Sequence, residues 1–149
     1  MRGCRAEADD GQGVAMTRSS KRVRTIVVDG VPFVWNVAHK HHVLPASSPG
    51  AGRCREVFSA YLKGIRTGPL RVWFTASESR GAGYPAAGVA WVSEGGRLVT
   101  TNLNTPGVAA AIIREALKRG WAPAISRAPF VIEAGFEMVA HFPDSLRNG

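Results

Sequence analysis

Three of the four histidines in this 149-residue chain fall within four positions, in the stretch NVAHKHHV at 36–43. If that run is extended backbone, His39 and His41 share one face and His42 takes the other, because strand side chains alternate. Two imidazoles at i and i+2 can share a zinc ion, but a four-coordinate site needs a third ligand and usually a fourth. Cys54, Glu56 and His141 could complete the set; all are distant in sequence, and neither C-x-x-C nor H-E-x-x-H occurs. His39 and His41 are therefore metal candidates, set against the plainer reading of a solvated strand end beside Lys40. Cys54 stands between Arg53 and Arg55, whose charges favour the thiolate. A histidine folding back onto it would supply the base a nucleophile requires. Small buried cysteines are more often packing residues, however.

Two other stretches have the composition of binding elements. SRGAGYPAAG at 79–88 contains G-x-G, but a dinucleotide fingerprint needs G-x-G-x-x-G between a strand and a helix. Here a strand pattern follows, so a wide hairpin loop is expected, with Arg80 and Tyr84 as contact residues at its exposed tip. In PLRVWFTAS at 69–77, Arg71 and Trp73 alternate onto one face. An open sheet face carrying rings and cations is a common way to bind single-stranded nucleic acid. Lys21, Arg22 and Arg24 add positive charge to that reading, although no RNP-type signature is present.

The net charge of +8 belongs to residues 21–149, since Arg2, Arg5 and Arg18 balance Glu7, Asp9 and Asp10. The charge is diffuse and favours a polyanionic partner without specifying one. A composition of 45% hydrophobic and 20% charged residues is that of a globular domain rather than a disordered chain. No apolar run is long enough to span a membrane, and the N-terminal sixteen residues lack the apolar centre of a secretory signal. Cys4 and Cys54 are too few for a disulfide framework and read as reduced thiols, which suggests a cytoplasmic protein.

The elements that must position these residues follow from periodicity and turn chemistry. Residues 1–20 read as a disordered tail, with Met16 a credible alternative start. Residues 21–142 form one α+β domain, and 143–149 a flexible end. Runs at 23–28 and 31–38 flank Asp29-Gly30, the pair favoured in a type I′ hairpin turn. Val31, Phe33, Trp35 and Val37 then share a face. Residues 43–53 make a Pro/Gly/Ser loop. In CREVFSAYLKGI, the spacing of Val57, Phe58, Tyr61, Leu62 and Ile65 predicts a helix over about 54–65. Strands are expected at 69–77 and 88–93, with a short one at RLVTTN. Thr105 and Pro106 open a second helix that buries Val108, Ile112, Ile113, Ala116 and Leu117 and stops at Gly120. PFVIEAGFEMV at 129–139 reads as a final strand. The expected fold is a two-layer α+β sandwich, a mainly antiparallel sheet with two helices on one face, in the order β-β-α-β-β-α-β.

The DGVPFVWNV hairpin, the PLRV strand and the helix TPGVAAAIIREALKRGWAP, ending in G-W-x-P, resemble a type of small bacterial protein to which no function is attached. The resemblance covers about residues 23–133 and implies a shared fold, with no catalytic residues to carry over. The leading expectation is a small binding module with a protein partner. Sequence-tolerant nucleic-acid binding comes second, and a metal-dependent or thiol enzyme at His39, His41 and Cys54 third. No cofactor is expected, and oligomeric state stays open.

Overall fold

The computed structural model describes residues 23–41, 54–83 and 87–147, with the backbone alone at His41 and Cys54. Asp29 at φ 50° and Gly30 at φ 80° occupy the two left-handed positions of a type I′ turn. This turn joins β1 (Arg24–Val28) to β2 (Val31–His41), with Val28 opposite Val31. β2 pairs antiparallel with β3 (Cys54–Leu62), and β3 with β4 (Leu70–Thr75). A second, separate antiparallel sheet follows, made of β5 (Arg80–Ala82), β6 (Val89–Glu94) and β7 (Arg97–Asn102). After helix α1 (Pro106–Lys118), β8 (Phe130–Ile132) pairs parallel with β4 and completes the first sheet in the order β1-β2-β3-β4-β8. Helix α2 (Gly135–Ala140) and a 3-10 turn at Asp144–Leu146 end the described chain.

The architecture is an α+β sandwich, but three local expectations are overturned. Residues 54–62 are a strand rather than a helix. β3 lies in the middle of the larger sheet, so it buries apolar side chains on both faces: Val57 is 7% exposed and Phe58 0%. Such a strand reads as a nearly continuous apolar run, which over a few residues imitates a helical stripe. The run at 129–139 is also split, becoming β8 and then α2. Gly135 permits this change: a Cβ there would lie 2.5 Å from the Trp73 carbonyl oxygen and 2.9 Å from the Phe74 ring. Finally, residues 78–88 contain β5 rather than turn alone.

One face of the larger sheet carries Phe33, Trp35, Phe58, Leu70, Val72 and Phe74, all inside the core. Trp35 and Phe58 stack with centroids 5.7 Å apart, and Phe136 of α2 meets Phe74 edge-on at 5.5 Å. α1 buries Val108, Ile112, Ile113 and Ala116 in the same cluster, leaving Leu117 partly buried. Pro106 holds its first turn as expected. The Thr105 hydroxyl, however, donates to the Asn102 carbonyl at 2.9 Å instead of capping the helix amides. Gly120, at φ 105°, ends the helix. Trp121 then turns inward, 5.7 Å from the Phe33 ring, and donates from Nε1 to the Gly68 carbonyl at 2.9 Å. No helix among the described residues is long and apolar enough to cross a membrane.

Candidate functional site

Register decides which side chains meet. With Lys40 opposite Arg55, Ser59 opposite Arg71 and Val57 opposite Trp73, the face turned away from the core collects residues that the sequence separates by more than thirty positions. The result is a groove of about 430 Å³ lined by Lys40, Arg55, Arg66, Arg71, Tyr61 and Trp73 among others, with no acidic residue lining it among the described residues. A volume in this range is ordinary for a ligand site.

Cations outside the groove are of two kinds: Lys63, Arg97, Lys118 and Arg127 form no ion pair among the described residues, while others do. Arg80, Arg114, Arg119 and Arg147 each face a carboxylate, from Glu137, Asp29, Glu115 and Asp144 respectively. Lys40, Arg55, Arg66 and Arg71 form no ion pair among the described residues. Like charges on adjacent strands repel, so Lys40, Arg55 and Arg71 together cost stability that no acid among the described groove residues offsets. Arg55 is held in place by the Trp73 ring, its guanidinium carbon 4.0 Å from the ring centroid. Its Nε is buried and has no hydrogen-bond partner among the described residues. A guanidinium fixed against a ring keeps its planar fork available for an anion's oxygens.

A second arrangement lies on the core side, at the far end of β2 and β3. His39 is opposite Glu56, and His41 is opposite Cys54. Glu56 is 1% exposed. Its Oε1 lies 3.1 Å from His39 Nδ1 and accepts a hydrogen bond from the Gly88 amide at 3.2 Å. Gly83 closes over the pair; a Cβ there would come within 2.8 Å of His39 Nδ1. The side chains of His41 and Cys54 lie outside the described set. Among the described residues, no three His, Cys, Asp or Glu side chains gather as a metal ligand set.

No family model matches the chain, and neither a curated protein nor a solved structure is similar to it.

Of the residues singled out for partner binding, Arg71 and Trp73 lie together in the groove. Arg24 lies on the core side, over the Trp35 ring at 5.1 Å and donating to the Asn104 carbonyl at 2.5 Å. Arg80 sits over Phe136, bound to Glu137. Lys21, Arg22 and Tyr84 lie outside the described residues. Reading the sequence without the fold missed Lys40, Arg55, Arg66 and Tyr61 as groove residues. For Arg55 and Arg66 the signal was present in the basic composition of 53–66, but a helix over that segment sends them to different surroundings.

Proposed function

We propose that the protein binds single-stranded nucleic acid, without sequence preference, across the open face of its larger sheet. The observation that carries this reading is the single-sign groove: four cations from three neighbouring regions of chain, none paired with an acid among the described residues, beside two aromatic rings. A cationic groove that tracks along a sheet face suits the backbone of a single phosphodiester strand. Of the exposed large apolar side chains, Val23, Val27 and Val31 lie on the β1–β2 hairpin, and Leu98, Ile125 and Val131 on β7, the turn after α1 and β8. The reading as a polyanion site rests on the groove's charge alone.

Fluorescence anisotropy of a labelled oligothymidylate tests the reading. Affinity should fall as salt rises, with a log–log slope of about −3 or shallower if up to four phosphates are neutralised. Arg71→Ala should reduce the slope by somewhat under one unit, the share of a single phosphate contact on a single strand. Absence of binding in dilute buffer, or binding indifferent to salt, would sink the proposal.

A metal or thiol centre remains a second reading, favoured by the register that sets His39 and His41 against Glu56 and Cys54. It calls for stoichiometric zinc in tag-free protein, lost on His39→Ala.

A further inference from the structure

The proposed strand-binding face carries a finer distinction, which rests on that reading: what part of the strand it grips. Base-reading sheets offer ring faces for stacking. Here Trp73, which shares the centre of the groove with Arg71, has one face occupied by the Arg55 guanidinium at 4.0 Å. Tyr61, the other ring, is only partly exposed and stands opposite Val34. What the groove offers instead is charge: Arg55, Lys40, Arg66 and Arg71, none of which forms an ion pair among the described residues. An arginine fork matches two oxygens of one phosphate, whereas an ammonium acts as a point charge.

We infer that the groove recognises a chain of phosphates and not the bases attached to it, with Arg55 as the fixed phosphate contact and Trp73 as the positioning residue that holds its guanidinium. The ligand class is then any extended polyphosphate or phosphodiester backbone. An abasic strand and inorganic polyphosphate should both compete for the site.

Three probes separate the possibilities on the full chain: labelled oligothymidylate, an abasic deoxyribose-phosphate oligomer of the same length, and inorganic polyphosphate of matched charge. The abasic oligomer should bind within about twofold of oligothymidylate, and polyphosphate should displace both. A weakening of about tenfold or more on removing the bases, the loss expected for one stacked base, would overturn backbone-only recognition while leaving nucleic-acid binding intact. Failure of all three probes would bring down the binding reading itself. The assignment of Trp73 has its own readout: Arg55→Ala and Trp73→Leu should weaken polyphosphate binding by similar factors and by no more when combined, with Trp73→Phe restoring much of the affinity. Multiplying losses in the double variant, in protein whose thermal unfolding remains cooperative, would refute the positioning role.

Discussion

Glu56 is the residue whose surroundings differ most from what its type suggests. Acidic side chains are seldom fully buried unless paired, and this one sits behind Gly83 with His39 Nδ1 and the Gly88 amide as partners. Glu56→Ala leaves that buried amide without an acceptor, a loss of about 1–3 kcal/mol, and Glu56→Gln should recover part of it; urea unfolding of the two variants checks this. Gly83 is constrained from two sides. Its φ of 88° disfavours any side chain, and an added Cβ would lie 2.9 Å from Glu56 Oε1. Gly83→Ala should therefore destabilise by about 1–3 kcal/mol, measured the same way. Nothing in the local sequence around Glu56 announces its burial, because both hydrogen-bond partners come from distant strands and turns.

At the scale of elements, β3 is the segment where local pattern and fold disagree. Its apolar residues suit one stripe of a helix almost as well as the two faces of a central strand. Pairing with β2 and β4 satisfies the backbone on both edges, and burial of Phe58 against Trp35 reinforces the choice. Two lysine substitutions distinguish the alternatives. On a helix, positions 56 and 59 would both face solvent and tolerate the change. In the strand, Glu56→Lys inserts a cation into the core and should prevent folding, as judged by loss of soluble protein. Ser59→Lys, on the open face, should cost under about 1 kcal/mol and strengthen polyanion binding. Phe58→Ala should cost about 3–5 kcal/mol. By contrast, α1 could be placed from sequence because its signals are local: Pro106 at one end and Gly120 at the other, with a buried stripe between them.

Across the whole molecule, Arg80 ties the smaller sheet to α2, its Nη1 2.6 Å from Glu137 Oε1 and its guanidinium over Phe136, which in turn meets Phe74 of the larger sheet. The hydrogen bond from Arg80, outweighing a smaller opposing effect of burial, holds the Glu137 carboxyl below the usual glutamate range. A carboxylate whose folded pKa is depressed stabilises the fold above its unfolded pKa, and that contribution vanishes as pH falls through the folded value. The stability gap between the native protein and Arg80→Ala should thus be constant at neutral pH and narrow in acid. What persists in acid is the pH-independent packing on Phe136. Because the pair is exposed, the part that titrates should be under about 1 kcal/mol, visible in denaturant midpoints taken as a function of pH.

The amino-acid sequence alone determined what neighbouring residues can settle between themselves. The Asp29-Gly30 turn, the limits of α1 and the surplus of positive charge all rest on backbone preferences or composition. Only the tertiary structure decided where that charge is presented. Alternation divides a strand's side chains into two sets, but partner strands and the layer packed against them select which set is buried. That selection turned 54–62 from a predicted helix into a central strand. It brought Lys40, Arg55 and Arg71 onto one open surface and set His39 against a buried carboxylate.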